Sequence, residues 1–493
     1  MYRLFLSLVF LPFFLNAEIK LASLFKDSAV LQREMKVPVW GWAKANSKIS
    51  VSINGKSAEG TANAKGEWRV DLPELKAGGP FEMSISDGSS KVVLKDILVG
   101  EVWICSGQSN MDMGHGGIPE YKPIVKESES LPIRSFMVEK FVAFEKQETL
   151  NGVWEKKICN SAVGASFSYH LQKALKVPVG IIQTSWGSSS LEGWMPIEFT
   201  EKLPYFKKVM ADFEKNDRQK VTDLLKDCRN KAGKITWARK DNIYMRTRPN
   251  ILYNAMMHPL IPYACRGVAW YQGEANTRSL ETMLQYKESL QTWLKYLRKS
   301  WNKEDFQLMP VMLPRFNRVH RGGSSMETDH PGARSWAYIR ESMIGITELP
   351  NTGIANTIDL GLLKNIHPKD KFPIGHRLTQ LALKNVHNMD VLPQGPTYKN
   401  LSIESNKAIL SFEHAKGLKT KDGNAPSSFW IAGEDKKWFK AEAKIKGDTI
   451  ELSSKEVAKP IAVRYAFTAF PTVNLVNEAN LPALPFRTDK WAP

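Results

Sequence analysis

Between Glu18 and about Asp96, polar and apolar residues alternate in short runs: Val37–Trp42, Ile49–Ile53, Glu67–Asp71 and Phe81–Ile85. Asn54-Gly55, Lys65-Gly66 and Asp87-Gly88 separate them, and these pairs favour tight hairpin turns. The pattern predicts a small antiparallel β-sandwich over residues 18–96. From Ile97 the texture changes. Largely apolar runs at Ile97–Ile104, Val177–Thr184, Val268–Tyr271 and Leu308–Leu313, and the segment Thr352–Ile358, read as buried strands. Between them, apolar residues fall at helical spacing: Val163, Phe167, Leu171 and Leu175 in one stretch, Met283, Leu290, Leu294 and Leu297 in another. A last helix is predicted over Ile374–Val386. Strands alternating with helices predict an α/β domain with a parallel sheet over 97–390. Within it lies a helical insertion, about 199–250, of which the long, strongly charged stretch Glu201–Ala232 packs through Phe206, Met210, Phe213 and Leu224 and carries no chemistry. From 391 to 493 short alternating runs return, at Ala408–Phe412, Phe429–Ile431, Thr449–Leu452 and Ala462–Ala466. They predict a C-terminal β region.

Composition narrows the class. Of 493 residues, 43% are hydrophobic and 24% charged, which describes a globular chain long enough for two or three domains. Residues 1–17 have the form of a secretory signal peptide: Arg3, an apolar core from Leu4 to Leu15, and a small residue, Ala17, at the cleavage site. The core is too short to span a bilayer, and no later run is long enough, so the mature chain is expected to be exported, periplasmic or secreted. The formal charge of +17 becomes +16 without Arg3 and favours anionic partners. Lysine and arginine are dispersed, without a basic tail or basic–aromatic ladder, so nucleic acid is not an expected partner. Four scattered cysteines (Cys105, Cys159, Cys228, Cys265) form neither a disulfide framework nor a zinc pattern, though one bridge after export is allowed.

The candidate chemistry begins at Gly107-Gln108-Ser109-Asn110-Met111, where the apolar strand ends in a turn. Gly107 permits a backbone conformation closed to other residues, and Ser109 then stands at the mouth of the strand. A serine nucleophile needs a base and donors for an oxyanion. A lone Gly-x-Ser is usually only a polar turn, and Met111 stands where the nucleophile elbow of α/β-hydrolases has glycine. Three further strand ends carry glycine-containing polar turns: Ser185-Trp-Gly187, Gln272-Gly-Glu274-Ala-Asn276 and the segment Asp359 to Pro368. In open α/β sheets, ligands bind beyond the carboxyl ends of the strands, so the four turns would converge on one rim.

Taken together, these residues resemble the sialate O-acetylesterase branch of the SGNH (GDSL-like) serine esterases. The resemblance rests on Gly107-Gln-Ser-Asn-Met111, Ser185-Trp-Gly187, Leu252-Tyr-Asn-Ala-Met256 with His258-Pro-Leu260, Trp270-Tyr-Gln-Gly-Glu274 with Asn276, and Ile366-His-Pro-Lys369 with Gly375 and Arg377. Leu31-Gln-Arg33, Val37–Trp42, Val463–Ala466 and Leu481–Asp489 extend it over almost the whole mature chain. It implies an SGNH three-layer sandwich with a parallel sheet, flanked by the N-terminal β-sandwich and the C-terminal β region. It also implies Ser109 as nucleophile and His367 as base, with His258 the rival histidine. The oxyanion donors would be the Ser109 and Gly187 backbone N–H groups and a side-chain amide, Asn276 first and Gln272 second. Gln108, Glu274 and Asn365 would support the loops. No metal or cofactor is implied.

One position departs from the family pattern. Relatives carry an aspartate two or three residues before the histidine, to fix its tautomer. Here Asn365 and Lys364 stand there. Asp359, eight residues upstream, is the tentative acid, and a Ser–His dyad is the alternative. The expected activity is hydrolysis of O-acetyl esters on carbohydrates through an acetyl-enzyme on Ser109, with 9-O-acetylated sialic acid as substrate. Acetylated xylan or another polysaccharide is the alternative substrate, and a catalytically weak or silent glycan-binding protein the alternative class. A metallohydrolase has no His-Glu-x-x-His or clustered ligand set to support it.

Overall fold

The computed structural model describes residues 18–226, 228–229 and 234–493. The expected signal segment, 1–17, and part of the predicted charged helix lie outside the described residues. The organising element is a 17-residue strand, β1 (Lys91–Gly107). Its first half pairs antiparallel with Gly78–Ser86, which continues through Lys48–Ile53 to Lys56–Thr61. A second small sheet, formed by Lys20–Leu21, Val37–Trp42 and Glu67–Leu72, completes the N-terminal β region. Along Glu67–Leu72 exposed and buried residues alternate strictly, as a strand with one face on a core requires.

The second half of β1 is buried throughout and becomes the centre of a parallel sheet. With β2 (Ile133–Met137), β3 (Val179–Ser185), β4 (Gly267–Tyr271) and β5 (Gln307–Pro310), the order is β2-β3-β1-β4-β5, every pairing parallel. β3 and β4 are buried at every position, which is why they read as unbroken apolar runs. Helices α1 (Ala162–Leu175), α2 (Leu280–Ser300) and α3 (Phe372–Asn385) follow the predicted periodicity. Ser161 caps α1 through Gly164 N, and Ser279 forms a capping box with Thr282 at the start of α2. The mixed sheet with its helices is an α/β hydrolase-like fold.

Three sequence expectations change. Thr352–Ile358 forms no strand but a single parallel bridge, Ala355 to Val311, beyond the end of β5. The charged stretch is not one long helix: it breaks at Asp217 into Pro204–Asn216 and Arg218–Lys226, and a further helix, Arg239–Arg246, returns toward the sheet. All four cysteines carry free thiols, three of them buried. C-terminal strands at Lys407–Glu413, Phe429–Ala432, Thr449–Ser453 and Ala462–Tyr465 lie where the alternation predicted them. No described helix is long and apolar enough to cross a membrane.

The regions are tied by buried polar contacts. Glu101 on β1 accepts from Arg33 Nε at 2.6 Å and from Arg266 Nε at 3.1 Å, joining the N-terminal region to the start of β4. Trp40, half-buried, packs edge-on against Phe25 and Tyr263 at the margin of the core. Near the C-terminus, the Pro482 and Ala483 carbonyls accept from Asn356 Nδ2, which anchors the segment leading to the candidate histidine.

Candidate active site

β1 ends at Gly107, whose φ of +136° is open chiefly to glycine; a Cβ there would stand 2.1 Å from the Tyr271 carbonyl oxygen. The chain then turns into a single helical turn, Ser109–Asp112. The register places Ser185 and Tyr271, the last residues of the two neighbouring strands, beside Gly107. Three of the four predicted turns therefore meet at one sheet edge. The fourth arrives as the irregular segment before α3, and His367 Nε2 lies 2.8 Å from Ser109 Oγ, across 258 residues of sequence.

Gly187 flanks the serine closely: a methyl group added there would lie 3.5 Å from Ser109 Cβ and 3.6 Å from Arg246 Nη1. Among the described residues, neither the Ser109 nor the Gly187 backbone N–H donates a hydrogen bond. Both are free to meet developing charge on a substrate oxygen.

The side-chain amides expected to join them are hydrogen-bonded within the turn behind the serine. Asn276 Nδ2 donates to Glu192 Oε1 at 2.7 Å, and its Oδ1 accepts from Gln272 Nε2 and Leu191 N. Gln272 Nε2 also faces Gln108 Oε1 and the Ser189 carbonyl, and Tyr286 donates to Gln272 Oε1. Both amides thus help to order the turn behind the serine, and Asn276 Nδ2 uses one of its two N–H groups to do so. Gln108 Oε1 accepts from the Gly273 and Ala275 N–H groups, so it laces the same turn to the serine.

Asp359 does not reach the histidine. Its two oxygens accept from Arg377 Nη1 at 2.8 Å and Nη2 at 2.7 Å, a bidentate pair at the base of the loop. Asn365 Oδ1 accepts from the His367 backbone N–H at 2.9 Å, supporting the main chain and not the imidazole. Among the described residues, no hydrogen bond reaches His367 Nδ1. His258 binds the Gln147 carbonyl through Nδ1, away from this rim.

The geometry has counterparts in known proteins. The family model described as carbohydrate esterase, sialic acid-specific acetylesterase matches residues 99–230 and 205–384, more than half of the chain. The chain belongs to this family. A novel carbohydrate acetylesterase from Xanthomonas citri has a similar structure, with a TM-score of 0.81 and 32% identity over 96% of this chain and 100% of its own. Sialate O-acetylesterases from mouse and human are 24% and 25% identical over 92% of this chain, and 90% and 88% of theirs.

In this carbohydrate acetylesterase the surroundings of the serine hold three side chains whose roles the motifs did not disclose. Arg246, from the helix that ends the insertion, donates through Nη1 to the Gly187 carbonyl at 2.5 Å and through Nε to Asn242. Its guanidinium lies 5.3 Å from the Trp186 ring. The helix Arg239–Arg246, which follows the stretch read as packing, therefore brings a cation to Gly187. Asn110 and Lys371 are buried beneath the pair, with Glu274 beside them. Burial raises the Glu274 carboxyl above its ordinary range, against the hydrogen bond from Asn110. Desolvation lowers the His367 imidazole below its ordinary value, and the Lys371 charge lowers it further. No sequence period marks Arg246 or Lys371, since both act through tertiary placement.

Proposed function

We propose that this acetylesterase is an exported serine enzyme of the SGNH type that removes O-acetyl groups from sugars, with 9-O-acetylated sialic acid as substrate, and that its domains divide as 18–96, 97–390 and 391–493. The 2.8 Å contact between Ser109 Oγ and His367 Nε2 carries the reading. Ser109 Oγ attacks the acetyl carbonyl carbon while His367 Nε2 takes the hydroxyl proton. The oxyanion lies against the Ser109 and Gly187 N–H groups. As the tetrahedral intermediate collapses, the C–O bond to the sugar breaks and the imidazolium returns the proton to the sugar oxygen. Water then attacks the acetyl-serine by the same route, releasing acetate and restoring the serine. His367 held below its usual value is neutral, and so able to accept a proton, at neutral pH.

Arg246 supports an acidic sugar. It stands on the serine side of Gly187 and offers a carboxylate a charge-assisted hydrogen bond. Acetate release from 9-O-acetylated sialic acid and from acetylated xylan, by wild type and Ser109→Ala, tests the reading. Activity should vanish in Ser109→Ala; glycan binding without acetate release by the wild type would make the chain a binding protein. Arg246→Met should raise KM for the sialic substrate about 10-fold or more, the worth of one charge-assisted bond, with less effect on the neutral polymer. Equal losses on both substrates would remove the case for an acidic sugar.

A further inference from the structure

A triad fixes its histidine with a carboxylate, yet here the acid expected from the sequence, Asp359, is held by Arg377. The residues next to Ser109 and His367 in the chain are joined instead by one side chain. Asn110 Nδ2 donates to the carbonyl of Ile366 at 3.1 Å and to Glu274 Oε1, and Asn110 Oδ1 accepts from Lys371 Nζ. Asn110 and Lys371 are 0% exposed and Glu274 is 7% exposed. We propose that the buried Lys371–Asn110–Glu274 chain is a positioning device that holds His367 on Ser109, in place of the carboxylate a triad would supply.

An asparagine amide can flip, and only one orientation turns its NH₂ toward the Ile366 carbonyl. A cation on Oδ1 and a carboxylate on Nδ2 select that orientation, because the reverse would set like partial charges against each other. Asn110 follows the nucleophile and Ile366 precedes the base, so the selected amide sets the separation of the two loops. Lys371 is the charged group acting on His367; Glu274, from the turn after β4, and Asp370, from the histidine's own loop, act on Lys371 in turn. Burial pushes Lys371 down to about 7, against the pull of Glu274 and Asp370. A cation beside an imidazole disfavours its protonated form, the reverse of what a triad aspartate does. The device thus keeps the base free of a proton at lower pH, at some cost in its strength as a base.

The inference rests on the Ser109–His367 reading, and pH profiles of kcat/KM on an aryl acetate separate the two. Asn110→Ala should lower kcat about 10²-fold with KM nearly unchanged, the effect of a small misplacement of reacting groups. Lys371→Met should move the acidic limb of the profile to higher pH, as His367 recovers part of the way toward its ordinary value. Lys371→Arg, which keeps the charge, should return the limb toward the wild-type position. If the methionine variant does not fold, Lys371→Gln removes the charge while retaining a donor to Asn110. An acidic limb that stays in place in the uncharged variant, or a loss in Asn110→Ala that appears in KM, would overturn the positioning role. Full activity in Ser109→Ala would overturn the esterase reading itself.

Discussion

The two halves of the proposed catalytic pair are held by different means. Ser109 follows a 17-residue strand clamped between two parallel neighbours, and its turn is fixed by Gly107, which touches the Tyr271 backbone. His367 stands in an irregular segment that borrows its shape from side chains: Asn365 on its own N–H, Asn110 on the Ile366 carbonyl, and the Asp359–Arg377 pair at its base. Backbone hydrogen bonds in a buried sheet open only with the fold, whereas side-chain contacts in a loop are lost one at a time. Changes on the serine side should therefore act as all or nothing, and changes on the histidine side should grade the activity.

The sharpest way to break that contrast is to remove the reacting groups themselves. Ser109→Ala and His367→Ala should each lower kcat by at least ~10³-fold, and the double variant should be little worse than either, because the pair works as a unit. Acetate release in single and double variants, with near-UV circular dichroism confirming the fold, checks this. A double variant whose loss is the product of the single losses would mean that the two act independently.

Asp359→Asn should act one step lower. The change exchanges a bidentate ion pair, with side chains 9% and 16% exposed, for a neutral amide facing Arg377. The expected cost is about 1–3 kcal/mol of stability, the penalty for a poorly satisfied buried group. Because Asp359 does not touch His367, the acidic limb of kcat/KM should stay where the wild type has it. A thermal melt and a pH profile on one preparation decide it: a shifted limb with an unshifted melt would restore Asp359 as the histidine's acid.

The same contrast explains what the sequence disclosed. β1, β3 and β4 were legible because burial on both faces leaves an unbroken apolar run, and the turns after them because glycine marks a backbone that others cannot adopt. Ser109, Gly187 and His367 could be named from those turns and from the family resemblance. Asn276 and Gln272 could be placed on their turn, but not their bonds to Glu192 and Tyr286, which no local pattern connects to them. Arg246 lies beyond Glu201–Ala232, in a stretch to which no local pattern gave a role. Lys371, four residues beyond His367, read as one more lysine in a basic chain. Only tertiary placement distinguishes a buried ammonium from a surface one.

The smallest effect should come from Asn365→Ala. Asn365 is exposed, and its Oδ1 accepts a single bond, from the His367 N–H two residues on, so it closes a local turn. Water can replace the acceptor, and the net worth of such a bond is about 1 kcal/mol, which limits the loss in kcat to roughly 5-fold. The charged groups around the imidazole are untouched, so the pH limb should not move. Were Asn365 instead the side chain that orients the imidazole, the loss would approach that of a triad member and the limb would move with it. Measuring kcat across pH for Asn365→Ala beside Asn110→Ala therefore ranks the two asparagines. A local turn bond should prove dispensable, and a buried bridge between the two loops should not.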